Sequence, residues 1–240
     1  MCRQSKTERA LEYYSARKSQ FLDEWEGEAR RWHPLLAVGF GETFAAQVLN
    51  EARQEFSGLI PEIPYIGGDE NHLTGTLVQA TGYLAFYQVM RRHGKTAAQT
   101  GKILFDAALA QVGRPQKLPP PGQMLTQEDL MERRRQRANR SQARRYPADY
   151  VYEFVPGDGL TFDYGYNFSE CAVHKFYHAC RADEFTPFYC YLDFPLSKAA
   201  GTGLQRSMTL SEGDPLCNHR FRQGREVELV WPPPFFKSKG

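Results

Sequence analysis

The hydrophobic pattern of this 240-residue chain changes its period at Pro147, and this change limits the folds that the chain can adopt. Before Pro147, apolar residues recur at helical spacing. After it, two aromatic and β-branched runs over residues 150–155 and 160–168 alternate with a period of two, and a Pro-Gly-Asp-Gly turn joins them. We therefore predict an α+β fold, in which an N-terminal helical layer packs on a C-terminal, largely antiparallel sheet with one or two helices.

Helical spacing predicts four helices in the N-terminal part, over residues 7–32, 41–56, 77–92 and 96–112. The first is predicted to end at His33-Pro34, because the residue before a proline avoids the helical region. The third is apolar almost all round, which indicates a central buried helix. Thr96 is the predicted N-cap of the fourth.

The middle of the chain is predicted to be a connector. Residues 113–122 are proline-rich and predict an extended linker, and Thr126 is a predicted helix cap. Seven of the thirteen residues over 133–145 are Arg, which is typical of a solvated helix face or of pairing with acidic groups of the fold or of a partner subunit. The alternative is an anion or nucleic-acid contact. The predicted organisation is a helical region over 1–112, a Pro-rich and Arg-rich connector over 113–145 and an α+β region over 146–240. We expect these parts to form one integrated domain.

The C-terminal part is predicted to continue with a helix, a short helix and two more strands. Ser169 is the predicted cap of a helix over residues 170–182, and residues 195–200 predict a second, short helix. Strands are predicted over residues 204–210 and 218–222. The end of the chain, from Trp231, is predicted to be an extended tail that packs on a surface or a partner.

Composition excludes several classes of protein. The formal net charge of +2 predicts no general attraction to nucleic acid, although the region over residues 133–145 offers a docking surface for a protein partner or a second copy of the chain. No apolar run is long enough for a signal peptide or a membrane span, so we expect a soluble, cytoplasmic protein. The five cysteines contain no Cys-x-x-Cys pair, which favours free thiols in a reducing compartment.

The candidate catalytic groups are cysteines and carboxylates of the C-terminal part. Cys217 and His219 are two apart, so on a strand they share a face, where an imidazole can activate a thiol. The alternative is a small core cysteine and a surface histidine. Glu170 and Cys171 precede the predicted helix, whose N-terminus favours an anion or a thiolate.

Three further pairs or single residues have both a functional and an ordinary interpretation. Cys190 and Asp193 are one helical turn apart and can face one pocket, or they are a buried cysteine and a helix cap. Arg206 suits a substrate carboxylate or a salt bridge within the sheet. Asn71, in the turn after two glycines, is either a helix cap or a substrate-facing amide. His174 and His178 have a two-histidine metal spacing but lack the glutamate of the hydrolytic zinc pattern, so we predict no metal and no cofactor.

Taken in order, these segments resemble the L-2-amino-thiazoline-4-carboxylic acid hydrolase family. The resemblance lies in residues 167–171, 187–193, 201–213 and 217–221, and upstream in the Ile-Pro-Tyr-Ile-Gly-Gly stretch with Asn71 and Thr74. It implies an enzyme that hydrolyses a non-peptide carbon–nitrogen bond in a small heterocycle bearing a carboxylate. The substrate is then a small amino-acid-like or anionic molecule. The positions that match the family's motifs are Glu170, Cys171, Cys190, Asp193, Arg206, Cys217 and Arg220.

The resemblance also implies roles for these residues. Asp193 or Glu170 would be the general acid or base, and Cys217 or Cys190 the nucleophile. Arg206 would hold the anionic end of the substrate, with Asn71, His219 and Arg220 as further substrate-binding residues; Cys171 completes the catalytic set.

Two departures from the family pattern leave other functions open. Asn167 stands where the family usually has Asp, and Asn218-His219 stands within its usual Cys-Asp-Phe-Arg run. Because amides replace carboxylates, elimination or intramolecular cyclisation with loss of an anionic leaving group is an alternative to hydrolysis. A tailoring step in specialised metabolism is the expected biological setting for either reaction. A non-catalytic partner subunit is the alternative from another class of protein.

Overall fold

The fold is α+β, as predicted, and the computed structural model describes residues 8–114 and 127–234. The helices before the sheet are α1 Glu8–Ala16, α2 Lys18–Phe40, α3 Glu42–Leu59, α4 Thr74–Arg92, α5 Ala97–Leu109 and α6 Gln127–Ser141. Most of the predicted linker over residues 113–122, and the predicted cap at Thr126, lie outside the described residues.

Helix α4 is the centre of the helical layer. It is buried on nearly all sides, as its apolar sequence predicts, and it packs against α2, α3, α5 and the later helix α7, Ala172–Ala179. Helix α5 begins at the predicted cap: the Thr96 hydroxyl accepts the Gln99 backbone N–H, and the Gln99 side chain accepts the Thr96 N–H. One hydrophobic core joins these helices to the aromatic face of the sheet.

The predicted end of the first helix was wrong. The segment breaks into α1 and α2 near Arg17, and α2 then continues through Pro34 to Phe40. Trp32 and Leu36, on either side of the proline, are both fully buried. The packing of these two side chains outweighs the hydrogen bond that the proline removes. Gly41 follows the last residue of α2, and its φ of 94° is unfavourable for other residues.

Four strands form an antiparallel sheet in the order β1-β2-β4-β3 within the described residues. They are β1 Val151–Pro156, β2 Tyr164–Glu170, β3 Leu204–Gln205 and β4 Cys217–Phe221. Cross-strand register places Tyr152, Phe168 and Cys217 on one face, together with Tyr166 and His219. We call this the inner face, because its aromatic rings contact the hydrophobic core.

Three predicted boundaries near the sheet were wrong. Residues 160–163 are not in β2, because Asp158 accepts the backbone N–H groups of Leu160, Thr161 and Phe162 and holds them in a turn. Strand β3 has only two residues, because the Asn218 side chain, rather than a ladder, accepts the backbone N–H groups of Ser207 and Met208. Ser169 belongs to β2, so α7 starts at Ala172 and is shorter than predicted.

Two short helices complete the C-terminal part, α8 Thr186–Tyr191 and α9 Asp193–Ala200. They pack on α5 and position the candidate site residues Cys190 and Asp193. The start of the C-terminal tail packs beside them, where the Trp231 ring lies 5.2 Å from that of Phe105, between centroids. Across residues 8–114 and 127–234, no helix combines the length and the apolar character needed to cross a membrane.

Candidate active site

Asp193 and Arg206 form the central ion pair of the candidate site. Arg206 Nη1 donates to Asp193 Oδ2 at 2.7 Å, and Nη2 donates to the Cys190 carbonyl oxygen at 2.8 Å. The Arg206 side chain is only 3% exposed. Its two terminal nitrogens are thus bound to protein groups, and Arg206 fixes the direction of the Asp193 carboxylate.

His219 from the inner face joins this pair. Its Nε2 lies 3.3 Å from Arg206 Nη1 and 3.5 Å from Asp193 Oδ2, so it accepts from the guanidinium or donates to the carboxylate according to its tautomer. Its Nδ1 is buried and has no hydrogen-bond partner of normal geometry among the described residues. Burial lowers the pKa of His219, and the Arg206 charge lowers it further against the opposing effect of Asp193. The ring is therefore neutral at pH 7.

Asp193 is ionised at neutral pH. Burial raises the pKa of this carboxyl, but the hydrogen bond with His219 and the charge of Arg206 outweigh burial and hold the pKa below its usual value. Although protein groups crowd around the carboxylate, the side chain keeps 47% of its area accessible. The carboxylate is thus held by protein groups and still reachable from outside.

Three other side chains share this environment. Cys171, Tyr189 and Cys190 are each partly accessible, and burial is the largest influence on the pKa of each. Tyr189 and Cys190 are neighbours in α8, and the Cys190 carbonyl is bonded to the same guanidinium as Asp193. We call the site formed by these partly accessible side chains, Cys171, Tyr189, Cys190 and Asp193, the Asp193 recess.

The thiols of the recess are protonated at neutral pH. Burial raises the pKa of Cys171 to about 12, and it raises the pKa of Cys190 well above its usual value even though the Arg206 charge opposes it. Thiols in this state are weak nucleophiles. Cys180 is disulfide-bonded, so the prediction of free thiols was wrong for this residue, whereas Cys171, Cys190 and Cys217 are free.

Cys217 lies on the inner face but is not hydrogen-bonded to His219. Its sulfur accepts the Leu210 backbone N–H at 3.2 Å and lies 3.5 Å from the Thr209 hydroxyl oxygen. The side chain is 6% exposed. The shared face predicted from the spacing of the two residues is present, but the partners of the two side chains differ from the predicted thiol–imidazole pair.

Two other predicted site residues, Glu170 and Asn71, are bonded to groups outside the recess. Glu170 forms ion pairs with Arg144 and Lys175. Asn71 Nδ2 donates to the Ile66 carbonyl at 2.7 Å and to Asp149 Oδ1 at 2.9 Å, while its Oδ1 accepts the Leu73 N–H at 3.0 Å. These bonds occupy both ends of the Asn71 side chain.

Arg220 follows His219 in β4 and therefore points to the opposite face of the sheet. There it donates to Asn167 Oδ1 at 2.9 Å. It also borders an open groove of about 520 Å³ on that side. Arg220 and the Asp193 recess are thus on different sides of the sheet.

No group of three or more His, Cys, Asp or Glu side chains in the described part of the chain is arranged to hold a metal ion. His178, one of the two histidines with metal-like spacing, instead pairs with Asp183, with 2.8 Å between Nδ1 and Oδ1.

A comparison with known protein families gives a match that extends from helix α4 to the end of strand β4. The sequence profile described as L-2-amino-thiazoline-4-carboxylic acid hydrolase matches residues 75–221, which is more than half of the chain. The chain belongs to this hydrolase family. Neither the curated proteins nor the solved structures contain a significant match to it.

In this family member, two tyrosines near the recess were not among the site residues predicted from the sequence. The Tyr150 hydroxyl is buried and has no hydrogen-bond partner among the described residues, and the charges of Cys171 and Asp193 affect its pKa. Tyr189 also makes no hydrogen bond through its hydroxyl within the described chain. Both tyrosines belong to aromatic runs, and such runs are equally typical of a hydrophobic core. Only the unpaired hydroxyls beside a carboxylate distinguish them.

Proposed function

We propose that this hydrolase-family member opens a small, carboxylate-bearing heterocycle by adding water to an amidine-like carbon, with Asp193 as the general base. One observation carries the proposal: an ionised carboxylate, held by a buried guanidinium, remains accessible in a recess. A general base must be deprotonated, reachable and fixed in direction, and Asp193 meets all three requirements.

The chemistry follows from the groups around the recess. Asp193 accepts a proton from water as the water oxygen bonds to the amidine-like carbon. The electron pair of the C=N bond moves onto the ring nitrogen, which takes up this proton from Asp193. The bond from the carbon to that nitrogen then breaks, while the new hydroxyl loses its proton through Asp193 to the leaving nitrogen and becomes the carbonyl of the ring-opened product. Burial, followed by the charge of Asp193, raises the pKa of Tyr189 well above its usual value, so its hydroxyl remains a hydrogen-bond donor for the intermediate.

Water, rather than a thiolate, is the proposed nucleophile. The raised pKa values of Cys171 and Cys190 leave little thiolate at neutral pH. These thiols line the recess as neutral groups, and Cys217 anchors the Thr209–Leu210 backbone through its sulfur. The setting we propose, a tailoring step in specialised metabolism, accords with a family named for a small-molecule substrate.

Incubation with L-2-amino-thiazoline-4-carboxylate in ¹⁸O-labelled water tests the reaction type. We expect a ring-opened product that carries one atom of ¹⁸O, because the attacking oxygen comes from solvent. Mass spectrometry of the product measures the label, and boiled protein provides the background. A product without ¹⁸O would contradict hydrolysis and support elimination or cyclisation instead, whereas no turnover of this compound or related heterocyclic acids would support the non-catalytic alternative.

The pH dependence of turnover follows from the neutral state of His219. Because burial and Arg206 lower the pKa of His219 below its ordinary 6.5, the ring stays mostly neutral as the pH falls to that value. Asp193, with its pKa below the usual 3.8, stays deprotonated over the same range. We expect kcat/KM, corrected for substrate ionisation, to be flat from about pH 8 to pH 6.5. An acid limb centred above pH 6.5 would contradict this assignment of charges.

A further inference from the structure

Three arginines line one cavity that is separate from the Asp193 recess. The cavity, of about 140 Å³, lies between α6, the turn before α4 and the start of β1. Arg137 and Arg140 belong to α6, and Arg145 follows that helix. None of the four side chains that form the recess lines this cavity, so the two sites have separate walls. We call it the Arg137 cavity.

Two of the three guanidiniums have no carboxylate partner. Arg137 is half-buried and Arg140 is exposed, and neither side chain forms a hydrogen bond or ion pair with any residue in the ranges 8–114 and 127–234. Arg135, on the same helix, instead pairs with Glu132 at 2.8 Å. Because Arg137 and Arg140 are three positions apart, they project from one side of α6, where both line the cavity. The described residues thus leave two positive charges at this wall without a counter-charge in contact.

The two acidic residues of the cavity are held by other groups. Asp149 accepts from Asn71 Nδ2 with both of its oxygens, at 2.9 and 3.0 Å. Glu70 Oε2 lies 3.4 Å from Arg145 Nη1. Neither carboxylate forms an ion pair with the two unpaired guanidiniums. Since three guanidiniums face two carboxylates, the lining carries a net positive charge.

His72 and Tyr152 add neutral polar groups to the lining. Burial, followed by the charges of Arg137 and Arg140, lowers the pKa of His72 to about 4, so its ring is neutral at pH 7. Burial raises the pKa of Tyr152 well above its usual value, which keeps the hydroxyl protonated. Both side chains can donate a hydrogen bond, and neither brings a negative charge at neutral pH.

We propose that the Arg137 cavity binds a phosphate dianion, free or as the end group of a phosphate monoester. A phosphate monoester carries about −1.5 to −2 charges at pH 7, which the two unpaired guanidiniums match. Arginine also suits phosphate by its geometry, because its planar fork donates two parallel N–H groups to two oxygens. The cavity has room for a group of five heavy atoms, since about 140 Å³ is roughly ten times the space that one water molecule requires.

Isothermal titration calorimetry with inorganic phosphate at pH 8, in chloride buffer of constant ionic strength, tests the site without turnover. We expect the wild-type chain to bind phosphate, and to bind the monoanion acetate about 10-fold more weakly, because acetate leaves one guanidinium unbalanced. Arg137→Gln should weaken phosphate binding about 10- to 100-fold through loss of a charged hydrogen bond. Arg140→Gln should weaken it about 3- to 10-fold, since solvent screens the exposed guanidinium. Methyl phosphate, titrated in parallel, distinguishes the two sources: tighter binding than inorganic phosphate identifies a monoester, and weaker binding identifies the free ion.

Arg133→Gln is the matched control. Arg133 is exposed on the same helix, does not line the cavity and has no partner among the described residues, so its loss changes the helix charge equally. The proposal is overturned if the wild type shows no saturable phosphate binding, if acetate binds as tightly as phosphate, or if neither cavity variant weakens binding more than Arg133→Gln does. Should Arg137→Gln fail to fold, as judged by circular dichroism, Arg140→Gln decides, because an exposed side chain is replaced there. The outcome is independent of the hydrolytic reaction, since no residue of the recess is changed.

Discussion

Asp193→Asn is expected to lower kcat/KM for the ring-opening reaction by about 10²- to 10⁴-fold. The amide has nearly the shape of the carboxylate, and its oxygen still accepts a hydrogen bond from Arg206. It cannot accept a proton from water, however, so the loss falls on the chemical step. Steady-state kinetics should show the decrease mainly in kcat, with binding of the substrate carboxylate largely retained.

Asp183→Asn provides the control for this experiment. Asp183 is an exposed carboxylate that pairs with His178, outside the recess. Its substitution should leave kcat/KM close to that of the wild type. If Asp193→Asn is folded, as judged by circular dichroism, and retains more than about a tenth of wild-type activity, Asp193 is not the base.

The largest loss of stability is expected from Arg206→Met. This change leaves the Asp193 carboxylate without its cationic partner and the Cys190 carbonyl without its donor. Breaking a buried pair on one side costs about 3–5 kcal/mol. Water in the recess partly solvates Asp193, whose side chain is 47% accessible, so we expect the free energy of unfolding to fall by about 3 kcal/mol, at the lower end of this range.

Urea unfolding at neutral pH measures this difference. Arg133→Met is the control, since an exposed arginine without a partner in the described chain should change stability by less than about 0.5 kcal/mol. The stabilisation from the Asp193 ion pair is fully present above pH 3.8, the usual carboxyl pKa, and is lost as the pH falls through the lower folded-state pKa. A loss in Arg206→Met no larger than that in the control would show that the ion pair does not stabilise the fold.

The arginines of this protein have roles that the sequence alone does not determine. The sequence leaves two roles open for Arg206, holding a substrate carboxylate or forming a salt bridge, and in the fold its donors hold Asp193 and the Cys190 carbonyl. The run over residues 133–145 was interpreted mainly as a solvated face, although an anion contact was the alternative. Side-chain partners that are distant in sequence decide between such roles, and no local pattern contains them.

Periodicity and residue type determined the α+β class, the buried helix α4, the cap at Thr96 and the strand hairpin of this chain, because these features depend on neighbours within a few positions. Alternation along a strand even specified that Cys217 and His219 share a face. Only the tertiary structure decided that His219 pairs with Asp193, that α2 continues through Pro34, and that Arg206 holds Asp193. These outcomes depend on packing and charge between segments far apart in the chain, whose energies no short stretch of sequence fixes.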